Sequence, residues 1–476
     1  MKSARLPGTR SLKLALGAVR ERTGAAGAEL YVKVGRTRRI EIDPWTTPPP
    51  ADPDDLPAQV SILDERGWAL RAGGANRALF LADSGPLPEP NGWKRLSRHS
   101  LRPGTLRLPA PSPETSPGTT PSASAGAGER EPDDEEAAGL ALLQGVLRRL
   151  GERMPEARLI RGRLDCGASA AVLASTTGVT GRTALRLATV ELDFAASRDG
   201  RLGHCRLYRA ASNLHLLSAD SIASEIAERL TLVTAPAPPF LPAGEVAVSP
   251  ALGCYLLALL APLLRGRNGW RRLRKLGADR PLGPPQLQIV DDGALDAGWM
   301  SAALDDEGVP TRAVALVHDG EPGEPLLSWE DDGWSGFAAA GCRRRSGWRA
   351  LPELCHSHLY IAGGSEPAES IRTGIVHGCY LLDRVPDGQC HATFEPSTNG
   401  SAGRLGEGHF KVDAIGLVIR RGAVLGEAPR VRLTGSVRQL LQGIRAIGDD
   451  LRFLPAPGAV GAPTLLLTGL QVEAIG

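Results

Sequence analysis

No apolar run in these 476 residues is long enough to cross a bilayer as a helix. The longest, Leu252 to Leu264, falls short of the about 20 residues that a spanning helix needs, so no membrane partner is expected. A secretory leader is lacking as well. The opening "MKSARLPGTRSLKLALGAVRERTG" is basic, but Lys13 and Arg20 interrupt its apolar residues and no small-residue cleavage site follows, so it reads as an amphipathic helix. Neither sign of charge is in excess: 55 Lys plus Arg stand against 53 Asp plus Glu, a net charge of +2. That is too little per residue to argue for nucleic acid as the main partner. Seven cysteines, scattered between Cys166 and Cys390, do not make the dense framework of a small secreted fold. A reducing cytoplasm is the expectation, and the preference for Arg over Lys with abundant Ala, Gly and Pro reads as the coding bias of a GC-rich bacterial genome.

Several signatures of chemistry are missing too. "GVTGRT", Gly178 to Thr183, lacks the Lys and spacing of a phosphate loop, and neither "NGSAG" nor "AGGSEP" is a nucleophile elbow. What is present is organisation. Residues 1–102 pattern as an N-terminal α/β domain: after the first helix, "AELYVKVGRTRRIEI" alternates on both sides of a turn near Gly35, and short strands "QVSIL" and "GWALRA" follow. Residues 103–136 are rich in Pro, Ser, Thr and Gly and poor in large apolar residues, which predicts a disordered linker with a domain boundary inside it. Residues 137–238 form a middle α/β segment expected to pack on the N-terminal domain, with one helix on Leu140, Leu143, Leu147 and Leu150 and a second capped by Ser218 or Asp220. Residues 239–476 are strand-rich. The fold class is α+β, with an antiparallel, barrel-like or sandwich C-terminal domain.

Two clusters invite chemical readings. "DDEGVPT" places Asp305, Asp306 and Glu307 before Gly308 and Pro310. Adjacent strand residues point to opposite faces, so these carboxylates converge only if the backbone turns. The plainer reading is a solvated turn whose carboxylates cap N–H groups or pair with Arg312. The second cluster runs from Cys355 to His391: Cys355, His356, His358, His377, Cys379, Cys390 and His391. These are zinc-type ligands, and Cys355, His356, His358 and His377 would form a site if neighbouring strands brought them together, although no CxxC or HExxH spacing is present.

The segment 250–265, "PALGCYLLALLAPLLR", has Ser249 at the cap and Pro250 in the first turn. Leucines cover every face, which predicts a helix buried on all sides and kinked at Pro262. Taken with "GEVAVSP", "LDDEGVPTRAVALVHDGE", "GHFKVDAIGLVIRRGAV", "VRLTGSVRQLLQGIRAIGDDL" and "GAPTLLLTGLQVEAIG", it makes the chain resemble the TldD/PmbA family, over nearly all of its length outside the linker. The resemblance implies a heterodimeric metallopeptidase in which a TldD-type subunit carries an HExxxH zinc motif and a TldE/PmbA-type subunit lacks it. Laid on this helix, the motif falls on Leu257, Ala258 and Pro262, and the family's C-terminal cysteine falls near Asp449 or Asp450. The chain therefore resembles the non-catalytic TldE/PmbA-type subunit, with no cofactor of its own and zinc in a TldD-type partner. That implies an extended or unfolded peptide as substrate, Asp305 to Gly308 as an architectural turn near the substrate tunnel, and a role such as leader-peptide removal from a ribosomally made peptide. Gly408-His409-Phe410 departs from the family's Gly-Asp-aromatic pattern. Two alternatives stand beside this: a self-contained metal hydrolase using the Cys355 to His391 cluster, and a homodimeric peptide-binding scaffold.

Overall fold

The structure, a computed structural model, describes residues 6, 9–23, 25–43, 57–73, 77–81, 94–95, 132–234, 244–385, 388–393, 408–456 and 458–475. Helix α1 (Thr9–Thr23) leads into the long strand β1 (Gly27–Ile42), followed by β2 (Ala58–Gly73), β3 (Arg77–Leu81) and β4 (Lys94–Arg95). Then come α2 (Pro132–Arg153), β5 (Arg158–Ser175), β6 (Thr180–Arg198), β7 (Arg201–Ala211) and α3 (Ala219–Val233). These seven strands make one antiparallel sheet in the order β4-β3-β2-β1-β5-β6-β7.

Period-two alternation decides which face each residue serves. In β1 the even-numbered Ala28, Leu30, Val32, Ile40 and Ile42 face the helices: Leu12, Leu16 and Val19 of α1 close over one end, and Leu143, Val146, Ile222 and Ile226 of α2 and α3 close over the other. The odd-numbered Glu29 and Tyr31 point the other way, toward the C-terminal half. Ser218, not Asp220, caps α3 by accepting from the Ser221 N–H.

The C-terminal half begins with β8 (Glu245–Val248), α4 (Pro250–Leu260), α5 (Gly266–Leu276), β9 (Ile289–Asp292), β10 (Ala313–His318) and β11 (Glu321–Pro322). A short ribbon of β12 (Arg343–Arg344) and β13 (Glu353–Leu354) precedes β14 (His358–Ile361), α6 (Ala368–Gly374), β15 (His377–Arg384) and β16 (Cys390–Thr393). The chain ends with β17 (His409–Arg420), β18 (Ala423–Ser436), α7 (Val437–Gln442), β19 (Ile444–Ile447), β20 (Arg452–Ala456), β21 (Gly458–Ala462), β22 (Leu465–Leu467) and β23 (Gln471–Ala474). One sheet runs β11-β10-β9-β14-β21-β20 and the other β19-β22-β8-β15-β17-β18-β23, with β16 also on β17. Helix α4 lies between them. Its Leu252, Leu256 and Leu260 share a core with Val246, Val248 and Leu381 of one sheet and Ile289, Leu359 and Val460 of the other.

The strand-rich α+β architecture follows the sequence patterns, with four differences. Both C-terminal sheets are open and mixed, since β8–β15 and β14–β21 are parallel, so they are layers around a helix and not a closed barrel. Residues 137–238 do not pack on the first segment as a separate unit: β5 pairs with β1 from Glu29↔Ser175 to Ile42↔Gly162, so both segments build one sheet. Helix α2 begins at Pro132, inside the expected 103–136 linker, most of which lies outside the described residues. Gly35 is no turn but a mid-strand residue, where a Cβ would sit 3.2 Å from that of Ser169, and "QVSIL" and "GWALRA" are likewise one strand, β2.

Candidate functional site

The serine before α4 holds the helix in place. Buried Ser249 accepts from the Leu252 N–H at 3.3 Å and donates its hydroxyl to the Leu382 carbonyl at 2.6 Å, joining the helix start to β15. The helix does not kink at Pro262. It ends at Leu260 and continues as a 3₁₀ turn, Ala261–Leu263, because proline has no N–H to extend the ladder. Leu257 is buried in the core, whereas Ala251, Tyr255, Ala258, Leu259 and Ala261 are half-buried and Pro262 is exposed, so the helix is not buried on all sides.

Tyr255 opens onto a cavity of about 200 Å³ between α4, β15 and the N-terminal elements β6, β7 and α3. Its polar wall includes Glu191, His204, Arg206, Arg229, Asp383 and Arg384, with Tyr208 beside them. The Arg384 guanidinium stacks 5.0 Å from the Tyr255 ring centre. Asp383 sits where the β15–β17 register shifts, and a bulge of this kind re-aims a side chain. Burial raises its carboxyl, while Arg229 pulls it back down, and it accepts the Arg384 N–H at 2.8 Å. The Cys205 thiol on the same wall is pushed by burial up to about 11, so it is protonated at neutral pH and no nucleophile. The cavity offers carboxylate, guanidinium and phenol groups that suit the polar backbone of a bound chain. Sequence reasoning missed it; its only signal was an Asp-Arg pair closing the apolar strand "GCYLLDR".

The acid turn proves to be buried. Asp305 accepts the N–H groups of Glu307 at 2.9 Å, Val309 at 2.9 Å and Arg343 at 3.0 Å, and Gly308 supplies the positive φ of +75° that closes the turn. Asp306 accepts the Arg345 N–H at 2.7 Å and the Tyr31 hydroxyl at 3.4 Å. Glu307 accepts Trp329 Nε1 at 2.9 Å and Arg71 at 3.0 Å. Arg71 also grips Glu29 through two contacts of 2.7 and 2.6 Å. The solvated turn paired to Arg312 is therefore replaced by a buried network joining β1 and β2 to the C-terminal half. Arg312 pairs instead with Glu324 at 2.8 Å.

The Cys/His residues are not brought together. His356 lies outside β14, close to the end of α4, with Nε2 at 3.4 Å from the Ala261 carbonyl and Nδ1 at 3.8 Å from Asp291. Burial, aided by Arg265, pushes it down to about 3. His358 donates from Nδ1 to the Asp292 carbonyl at 2.8 Å and accepts the Met300 N–H at Nε2 at 3.2 Å, and it packs against Trp299 and Phe453. His377 is exposed at the start of β15, in the other sheet. Cys355 is half-buried with its thiol raised by burial, and Cys379 is in the core. Among the described residues no three His, Cys, Asp or Glu side chains are placed to hold a metal ion.

The positions assigned to the zinc motif do not fit that ion either. Leu257, Ala258 and Pro262 carry no donor atom. Asp450 holds the Thr464 N–H at 2.7 Å and hydroxyl at 2.8 Å, and Asp449 holds the Ala368 N–H at 3.1 Å.

Residues 244–474 match the family model for the PmbA/TldA metallopeptidase C-terminal domain. These residues belong to the PmbA/TldD family. A metalloprotease of Synechocystis sp. is 30% identical over 178 residues, 37% of this chain and 35% of that protein. A metalloprotease TldD homolog of Buchnera aphidicola is 24% identical over 173 residues, 36% of this chain and 33% of that protein. The chain thus matches about a third of the length of these curated relatives. Among solved structures, TldE from Thermococcus kodakarensis superposes with a TM-score of 0.74 at 14% identity, covering 98% of this chain and 100% of that one. A putative modulator of a DNA gyrase from Thermotoga maritima gives 0.71 at 15% identity, over 98% and 100%. At such identities the likeness is one of fold, and it extends through the N-terminal sheet. Residues 244–474 are metallopeptidase-related in sequence, and no described helix is long and apolar enough to cross a membrane.

Proposed function

We propose that this chain is the non-catalytic, TldE/PmbA-type subunit of a heterodimeric zinc metallopeptidase that cleaves unfolded peptides, as in removing a leader from a ribosomally made peptide. The observation that carries this reading is α4 itself. The helix is capped, buried and flanked by a cavity, yet Leu257, Ala258 and Pro262 stand where the family motif needs two imidazoles and a carboxylate. A hydrolytic zinc site requires ligands that hold the ion and a base that takes the proton of its bound water. A TldD-type partner would supply both, while this chain contributes cavity walls and strand edges that hold an extended peptide through backbone pairing. Residence in the cytoplasm belongs to the same proposal and is supported by seven free cysteines.

Co-expression with a TldD-type chain carrying HExxxH should yield a complex that cleaves an unfolded casein peptide, whereas this chain alone should not. Cleavage by the isolated chain, or failure to form any complex, would overturn the proposal. A homodimer that binds peptide without a hetero-partner would instead favour the scaffold reading.

A further inference from the structure

Helix α5, "GRNGWRRLRKL", turns Gly266, Gly269, Leu273 and Leu276 inward. Gly269 allows it to pack tightly on the turn that ends α4, since a Cβ there would sit 2.6 Å from the Pro262 carbonyl. The rest of the helix is Asn268, Trp270 and five cations, Arg267, Arg271, Arg272, Arg274 and Lys275, with no acidic residue. The helix dipole accounts for Arg274 and Lys275 in the last turn. It does not account for Arg271, or for the aromatic groups built beneath the arginines.

Trp334 has two guanidiniums over its ring, Arg267 at 5.5 Å and Arg271 at 5.3 Å, and Arg274 lies 5.0 Å from the Trp270 ring centre. Trp270 and Trp334 meet edge to face at 5.4 Å, and the Trp270 indole N–H is tied to the Gly323 carbonyl at 2.8 Å. Arg267 is matched by Asp331 at 2.6 Å. Among the described residues the exposed Arg271 and Arg274 form no ion pair. A guanidinium stacked on an indole keeps its N–H edge outward, in the geometry that grips a carboxylate with two hydrogen bonds. Stacking also lowers the side-chain entropy lost on binding.

We propose that the exposed face of α5, through Arg271 and Arg274 braced on Trp334 and Trp270, docks an acidic segment of a polypeptide. This deepens the peptide-handling reading and rests on it only for the choice of a peptide over other polyanions. The aromatic rings favour the same choice. Their faces carry guanidiniums and so offer no platform for stacking bases, and Trp270 is anchored inward and not poised to enter a bilayer.

The test uses the full chain and fluorescence anisotropy with a labelled Glu/Ser peptide, a Lys/Ser peptide of equal length, single-stranded DNA and phosphatidylserine vesicles. The Glu/Ser peptide should bind, the Lys/Ser peptide should not, and affinity should fall steeply with salt. Arg271→Glu with Arg274→Glu should weaken binding by about tenfold or more, Trp334→Leu should weaken it less, and the distant pair Arg198→Glu with Arg201→Glu should leave it unchanged. The proposal is overturned by equal binding of both peptides, by equal loss in the distant pair, or by DNA or vesicles binding more tightly than the Glu/Ser peptide. Cleavage of neutral peptides by the two-subunit complex would survive any of these outcomes, so the subunit assignment and the docking face fail separately.

Discussion

Arg71 is the residue on which the seam between the two halves depends. Its guanidinium, 2% exposed, meets Glu29 at 2.6 Å and Glu307 at 3.0 Å, and these carboxylates are as deeply buried. Removing one partner of such a group leaves uncompensated buried charge, so Arg71→Ala should cost about 3–5 kcal/mol in denaturant unfolding. A change below about 1 kcal/mol would mean that water reaches the carboxylates. Buried Asp291 makes a second prediction. It accepts the Ser357 N–H at 2.9 Å, and burial pushes it up to about 7. The unfolded chain releases that proton near pH 3.9, so between about pH 4 and 7 the native state holds more protons and this group makes stability fall as pH rises. Asp305, also pushed up to about 7, acts in the same direction, and His356, pushed down to about 3, acts against both. Asp291→Asn removes one falling contribution. Relative to the parent chain its stability should therefore rise between pH 5 and 7 by on the order of 2 kcal/mol, read from thermal melts at both pH values. An unchanged difference would show that Asp291 is ionised throughout.

Among the elements, α4 was the most legible. The Ser-Pro start gave its place and its cap, the all-round leucines overstated its burial because Ala251, Tyr255, Ala258 and Leu259 are only half-buried, and the structure adds that Ser249 also ties the helix to β15. Ser249→Ala should cost about 1–2 kcal/mol, measured by urea unfolding; a neutral result would deny the cap its role. The long strands of the N-terminal sheet were harder to read. Gly35 reads as a turn residue because glycine usually marks a change of direction, but it lies in a continuous ladder beside Ser169 of β5, and Gly67 lies in the β1–β2 ladder where the opposing layer leaves no room for a side chain. At Gly67 that layer is the Trp348 ring, which a Cβ would overlap. Gly67→Ala should therefore destabilise by about 1–3 kcal/mol in the parent and by much less beside Trp348→Ala. Equal costs in both backgrounds would place the strain elsewhere.

On the scale of the whole molecule, the acid turn shows where local reading stops. Asp305, Asp306 and Glu307 looked solvent-facing because their partners are remote in sequence: Glu307 meets Arg71, 236 positions away, and Asp306 meets Tyr31, 275 positions away. The Cys/His cluster failed in the opposite direction, since residues close in sequence are sent to different sheets by α6 and the crossover from β14 to β15. The cavity had no motif because its wall is assembled from α3, α4, β6, β7 and β15 at once. The resemblance carried by α4 and the C-terminal strands is matched by the family model over residues 244–474, and the central proposal that rests on it is that this chain lacks the means to hold a catalytic zinc. The most direct test is elemental analysis of the isolated, metal-supplemented chain. The account predicts far less than one zinc per polypeptide after gel filtration; about one tightly held zinc per chain would contradict it.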